Sequence, residues 1–153
     1  LALKKNGDLR FLISGEEVQI KTTDLQAVAE NLGISDSVQI VDNFDHVSAA
    51  LSEVDVGVIP SLFSEVICRI GMEFMASGKA VIASDVNVLP ELVIHGETGL
   101  IFNSEDEVAL SEAILKLAED EELRKKYGIA GRKRAEDLFS IEKFAAQLAS
   151  ILE

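Results

Sequence analysis

Short apolar runs rich in Val and Ile alternate with amphipathic helical stretches along most of this sequence. Such runs are typical of parallel strands that are buried on both faces, and short connections place helices on both sides of the sheet. The runs predict five strands, at residues 9–14, 38–41, 56–59, 80–84 and 100–102. The alternation therefore predicts an α/β fold, with a parallel sheet flanked by helices.

The last third of the chain has a different hydrophobic pattern. From Ser104 onward the apolar residues keep helical spacing almost without interruption, which predicts a helical C-terminal tail. No Pro-, Gly- or Ser-rich linker interrupts the chain, and 153 residues are the usual size of one core. We therefore expect a single α/β domain over residues 1–153.

The balance of charge excludes one class of partner. The chain has 27 acidic residues against 14 Lys and Arg, a formal net charge of −13. This is the wrong sign for a protein that neutralises a phosphate backbone, so we expect no nucleic-acid partner. Its one cysteine, Cys68, cannot form an internal disulfide, which favours a cytoplasmic location.

A basic cluster near the C-terminus leaves a second kind of contact open. Lys125, Lys126 and residues 132–134 are basic, but acidic residues surround them. A solvated helix face is the simpler interpretation, and a weak peripheral membrane contact is the alternative.

Cations are scarce in the middle of the chain. No Lys or Arg occurs between Lys21 and Arg69, or between Lys79 and Lys116. Lys79 falls in a predicted turn from helix to strand. Arg69 instead follows the third predicted strand, at the carboxyl edge where ligands bind in open α/β sheets. Arg69 is therefore the stronger candidate for a functional cation.

Two carboxylates flank this arginine. Glu65 and Glu73 are eight residues apart, so a helix that begins soon after Glu65 would place both near one face, about 12 Å apart. This is wider than the roughly 10 Å limit for a glycosidase carboxylate pair. The two acids could hold opposite ends of an elongated ligand, with an anion site at Arg69 and the helix start. A solvated face, or an ion pair of Arg69 with both acids, is the alternative.

The residues around these acids resemble the retaining GT-B glycosyltransferases of the family 4 type, whose signature is E-x7-E. The matching segments are residues 55–61, 65–73, 75–84, 89–93 and 96–102. The resemblance covers nearly the whole chain. It implies a Rossmann-like sheet, the C-terminal half of a GT-B fold, and transfer of a sugar with retention.

The resemblance also implies roles for individual residues. Glu65 would bind hydroxyls of the donor sugar, and Glu73 would accept from the ribose of the nucleotide. The backbone amides around Ile67, Cys68, Arg69 and Ile70 would face the sugar and the diphosphate, and Phe44 lies where the family places the base. From its charge alone, Arg69 would stabilise the leaving diphosphate, so Glu65 and Arg69 are the candidate catalytic residues.

The resemblance further implies which partners the chain has and which parts it lacks. The partners would be a nucleotide diphosphate sugar and a sugar or lipid-linked acceptor, the latter bound by a domain outside this chain. No metal or other cofactor is expected, since the family type needs none and the sequence has no Asp-x-Asp pair. We expect a fragment that lacks the family's first strand, which would lie between the strands at 9–14 and 56–59. Alone, it should be catalytically silent.

Two departures from the family pattern keep an alternative function open. Val66, Ile67 and Cys68 replace a Gly-Phe-Gly sequence, and Asn87-Val88 replaces a Gly-Gly pair. A nucleotide-binding α/β module without catalysis is therefore the alternative. A signalling receiver is disfavoured because Ser61 stands where an Asp is needed, and a dinucleotide oxidoreductase because no Gly-x-Gly-x-x-Gly follows a strand.

Overall fold

The computed structural model describes residues 1–15, 20–41, 47–63 and 65–152. Contacts divide the chain into two compact units, Leu1–Val54 and Asp55–Glu153. The described strands form two parallel sheets, one of two strands and one of three. The expectation of a single domain over residues 1–153 stays a prediction.

The first unit pairs two short strands with helices. Its elements are α1 (Ala2–Lys5), β1 (Phe11–Ser14), α2 (Thr22–Asn31), a 3₁₀ turn (Ser35–Ser37), β2 (Val38–Val41) and α3 (Val47–Glu53). Strands β1 and β2 are parallel, with Phe11 opposite Val38. Gly33 follows α2 with a φ of 66°, a left-handed conformation that ends the helix at low cost for glycine.

The second unit contains a three-stranded parallel sheet and most of the helices. Its elements are β3 (Val56–Ile59), α4 (Arg69–Ala76), β4 (Ala80–Ser84), α5 (Leu89–Leu92), β5 (Gly99–Phe102), α6 (Glu107–Glu119), α7 (Glu121–Phe139) and α8 (Ile141–Leu152). The strand order is β3-β4-β5. All five predicted strands are confirmed, with ends that differ by at most two residues, and the helical tail is confirmed as well.

Strand β4 is buried along its whole length and separates two apolar clusters. Val81 and Ala83 belong to the cluster that includes Met75 and Leu92, whereas Ala80 and Ile82 belong to the cluster with Leu117, Leu100 and Tyr127. Successive side chains of a strand point to opposite faces, so β4 contributes to both clusters in alternation. Helices cover both faces of this sheet, as the continuous apolar run predicted.

Helix α4 is held close to its neighbours by glycines. A Cβ on Gly57 of β3 would meet the ring of Phe74, and one on Gly71 would lie 2.5 Å from Cδ2 of Leu92. Where α7 crosses the turn after α4, a Cβ on Gly128 would meet the backbone oxygen of Gly78. Gly78 itself has a φ of 70°. The absence of side chains at these points fixes how α4 sits against β3 and α7.

The crossing of α7 can be tested with two alanine substitutions in the same helix. Gly128→Ala should lower the free energy of unfolding by about 1–3 kcal/mol, because a backbone oxygen cannot move aside as a flexible side chain can. Gly131→Ala is the matched control, since its Cβ would lie 3.6 Å from Met75 Cγ, an ordinary contact. It should raise stability by up to about 1 kcal/mol through helix propensity. Urea denaturation of both variants measures the difference, and equal effects would contradict the close crossing.

Candidate functional site

The candidate site lies at the carboxyl edge of the three-stranded sheet, where the loops that follow β3, β4 and β5 meet. Ser84 Oγ, at the end of β4, donates to the backbone O of Ser61 at 2.7 Å. Ser104 Oγ donates to the backbone O of Leu62 at 3.3 Å, and the Ser104 N–H donates to Asp85 Oδ1 at 2.8 Å. Ser84 at the end of β4 and Ser104 after β5 thus hold the loop after β3.

Glu65 is fixed at both its side chain and its backbone. Ser61 Oγ donates to Glu65 Oε2 at 2.8 Å, and the Val88 N–H donates to the Glu65 backbone O at 3.3 Å. The residue is half-buried. Within the described part of the chain, Glu65 Oε1 has no hydrogen-bond partner. One carboxylate oxygen is therefore held while the other remains available to a ligand.

Helix α4 begins at Arg69. The expected placement of Glu65 and Glu73 on one helical face required a helix that begins soon after Glu65. Glu73 lies in the helix, whereas Glu65 lies in the loop before it, so the expected placement on one helical face is wrong. Val66 and Ile67 are β-branched, which disfavours helix. The side chain of Cys68 is drawn into the core, with 4% of its surface exposed, so the chain turns before the helix begins.

Arg69 is the first residue of α4, and its side chain is exposed. Among the described residues it forms no ion pair with Glu65 or Glu73; the pairs present are on α7. The alternative that Arg69 is held in an internal ion pair is therefore not observed. Its guanidinium is free to meet an anion.

The backbone amides around the start of α4 also lack partners within the described part of the chain. No N–H of Ile67, Cys68, Arg69 or Ile70 donates to another group in the described ranges. The first bond of the helix runs from the Met72 N–H to the Cys68 O at 3.3 Å. Unpaired amides at a helix N-terminus favour negative charge, so they and Arg69 form one electropositive region.

The two departures from the glycine-rich pattern have different structural consequences. Val66 and Ile67 are 73% and 75% exposed, so their side chains contribute no core packing. Asn87 has a φ of 46°, a left-handed conformation that Asn adopts more readily than most residues. Asn87 thus preserves a turn of the kind that glycine permits, whereas Val66 and Ile67 change the surface of the loop.

The thiol of Cys68 is poorly suited to nucleophilic catalysis. Burial raises its pKa above the ordinary value of 9.0, and the nearby charge of Glu65 raises it further, while the Gly71 amide partly opposes the increase. A thiol is a nucleophile only as the thiolate. Any role of Cys68 in ligand binding would therefore fall to its backbone amide.

Three further expectations concern the base contact, metal binding and membrane contact. Phe44, the candidate base contact, lies outside the described residues. In the ranges described, no three His, Cys, Asp or Glu residues are grouped so that they could hold a metal ion. No described helix is both long enough and apolar enough to cross a membrane.

The basic cluster at the C-terminus is partly engaged within the protein. Lys125 pairs with Glu121 at 2.8 Å, and Arg132 pairs with Glu136 at 2.9 Å. Arg134 donates to the backbone O of Leu92 and of Glu91, at 3.1 and 2.7 Å. These bonds favour the interpretation of a solvated, ion-paired helix face.

The serines that hold the loop were not among the candidate residues from sequence. Ser84 ends an apolar run and is fully buried, and a buried hydroxyl requires a partner. A serine at the end of a run otherwise rich in Val and Ile was therefore the available signal. Sequence alone could not show that its partner is the backbone of Ser61.

The parallel sheets, the flanking helices and the helical tail are the arrangement of GT-B glycosyltransferases. Residues 1–134 match the profile of the family described as "Glycosyl transferases group 1", and the chain belongs to that family.

Curated relatives agree with this assignment. The chain is 38% identical to the alpha-maltose-1-phosphate synthase of Mycolicibacterium smegmatis over 107 residues, which cover 66% of this chain and 27% of that protein. It is 30% identical over 144 residues to the N-acetyl-alpha-D-glucosaminyl L-malate synthase of Bacillus anthracis, covering 94% of this chain and 37% of that protein. The chain thus spans well under half the length of either relative.

Solved structures share the fold. HepE from Anabaena, in complex with UDP, superposes with a TM-score of 0.90 at 20% identity, over 99% of this chain and 43% of that one. The C-terminal domain of the group 1 glycosyl transferase LpcC from Francisella tularensis has a TM-score of 0.81 at 21% identity, over 92% of this chain and 74% of that one.

The reactivity of the Cys68 thiol tests whether its side chain is buried at the start of α4. At pH 8 the folded protein should react with iodoacetamide at least about tenfold more slowly than the same chain in urea, because burial and a raised pKa keep the thiol protonated. Mass spectrometry of quenched samples measures both rates. As the pH rises past 9.0, the rate in urea should level off while the folded rate continues to increase. Rapid alkylation of the folded protein at pH 8 would contradict the buried position.

Proposed function

We propose that this chain is the donor-binding half of a retaining glycosyltransferase, which transfers a sugar from a nucleotide diphosphate sugar to a sugar or lipid-linked acceptor. The observation that carries the proposal is the run of amides from Ile67 to Ile70, which have no partner among the described residues and which Glu65 and Glu73 flank. A diphosphate needs donors, and hydroxyls of sugar and ribose need acceptors. The loop and α4 offer both along one stretch of backbone.

Each end of the donor has its own residue in this proposal. Glu65 receives hydroxyls of the sugar, and Glu73 receives those of the ribose. Arg69 and the amides of Ile67, Cys68 and Ile70 meet the diphosphate, and Phe44 contacts the base. HepE, which shares the fold, forms crystalline complexes with UDP and with UDP-glucose, and this supports a nucleotide sugar as ligand.

The mechanism follows from the charge that develops when the nucleotide diphosphate leaves. A cation and helix N-terminus already directed at that charge stabilise the transition state without reorganisation. The Glu65 carboxylate would hold the sugar ring, so that its anomeric carbon is aligned with the acceptor. The acceptor site and further cations would come from parts of a longer protein, so the 153 residues alone should bind a donor without transferring its sugar.

A binding experiment and a transfer experiment test this function. Saturation-transfer NMR with UDP-, ADP- and GDP-glucose on the 153-residue chain should show contacts to sugar and ribose protons, and no contacts to any of the three would contradict the proposal. The full-length protein should then release nucleotide diphosphate in the presence of acceptor. NMR of the product should show the same anomeric configuration as the donor. Inversion would refute the retaining mechanism, whereas binding without turnover would favour the non-catalytic module.

The two acids should give different kinetic signatures in the full-length enzyme. Glu73→Ala should raise the donor KM, because a hydrogen bond of about 1.5–3 kcal/mol to ribose acts in the ground and transition states alike. Glu65→Ala should instead lower kcat. Steady-state kinetics with varied donor distinguish the two, and Glu112→Ala, an exposed acid of the same unit outside the matching segments, serves as the control. An unchanged KM in Glu73→Ala would remove that residue from the site.

Arg69 should contribute to transition-state stabilisation with little effect on folding. Its side chain is exposed and free of ion pairs in the described structure, so Arg69→Met should leave the melting temperature nearly unchanged. In the full-length enzyme, Arg69→Met should reduce kcat/KM by a factor that corresponds to more than about 2 kcal/mol of transition-state free energy. Inhibition by nucleotide diphosphate should weaken in parallel. A lower melting temperature with intact inhibition would instead indicate a structural role.

A further inference from the structure

Two serine hydroxyls connect the buried strand β4 to the carboxylate of Glu65. Ser84 is fully buried, and its Oγ donates to the Ser61 backbone O at 2.7 Å. Ser61 Oγ donates in turn to Glu65 Oε2 at 2.8 Å. The connection begins in a fully buried strand of the second unit and ends at the candidate donor site.

The bond from Ser61 acts on the side chain of Glu65 rather than on the loop. The backbone of Glu65 is already held by the Val88 N–H, and the backbone of Ser61 by Ser84. Loss of the Ser61 hydroxyl would leave both backbone bonds in place. It would release only the carboxylate, which could then adopt other rotamers.

The bond also fixes the direction in which the second carboxylate oxygen is presented. Glu65 Oε2 accepts from Ser61, while Oε1 accepts from none of the described residues. A carboxylate with one oxygen held presents the other in a defined direction. An acceptor with a fixed direction binds the hydroxyls of a sugar ring more selectively than one that can adopt several rotamers.

We propose that Ser61 is a positioning residue, which orients the carboxylate of Glu65 toward the donor sugar, and that Ser84 fixes Ser61 from the core. The proposal rests on the proposed role of Glu65 in donor binding. It adds a residue that acts on the sugar through Glu65 and does not contact the sugar itself.

Substitutions at Ser61 in the full-length enzyme test this role. Ser61→Ala should reduce kcat by about tenfold, since a small misplacement of a group that holds the reacting sugar is costly. The inhibition constant of the nucleotide diphosphate, which lacks the sugar, should be unchanged, as should the melting temperature. Ser61→Thr keeps the hydroxyl and should restore most of kcat. Ser52→Ala removes a bond of 2.7 Å to the Ala49 O in the first unit and is the control.

Combination with Glu65→Ala distinguishes the possible failures. If Ser61 acts through Glu65, then Ser61→Ala should have no further effect in the Glu65→Ala background. Three outcomes would overturn the positioning role alone. They are additive effects of the two substitutions on kcat, a kcat of Ser61→Ala equal to that of the unaltered enzyme, and a lowered melting temperature that Ser61→Thr does not restore. An unchanged kcat in Glu65→Ala would overturn the role of Glu65 in the proposed function, and this proposal with it.

Discussion

The complete burial of strand β4 is the constraint on which the second unit depends. Ala80, Val81, Ile82, Ala83 and Ser84 are all buried, so both faces of the strand must be covered by helices. The apolar residues are satisfied by packing, whereas the hydroxyl of Ser84 needs an acceptor. It finds that acceptor in the loop after β3. The same burial that forms the core thus ties the candidate site to it.

A second constraint sets where α4 begins, and therefore which groups face the site. The side chain of Cys68 packs in the cluster with Met75 and Leu92, and the chain enters the helix directly afterward. Because the helix begins at Arg69, the free N–H groups of its first turn lie between Glu65 and Glu73 in the sequence. A start near Glu65 would have placed the two acids on one face and would have moved these free donors toward Glu65.

The strands were predictable from sequence because their signal is local. The run at residues 80–83 is continuous and apolar, with β-branched residues at its centre, and this pattern is typical of a buried strand. The start of α4 was not predictable, because it depends on contacts between distant residues. For Cys68, sequence alone could not show that the side chain packs in the core. The order Glu65, Arg69 and Glu73 was visible from the start, but the hydroxyl of Ser61 at Glu65 required a backbone to place it.

The two replaced glycine segments show how a site can change while the fold does not. At Asn87 the backbone keeps the left-handed conformation, with φ at 46°, and the next residue donates its N–H to the Glu65 backbone. That replacement preserves the support of the loop at a modest cost in strain. Val66 and Ile67 have no such backbone requirement in this structure, and their exposed side chains touch solvent rather than the core. Their effect is therefore on the exposed surface of the loop next to Glu65. In the proposed donor site, the apolar side chain of Val66, where the family pattern has glycine, would change which sugars fit.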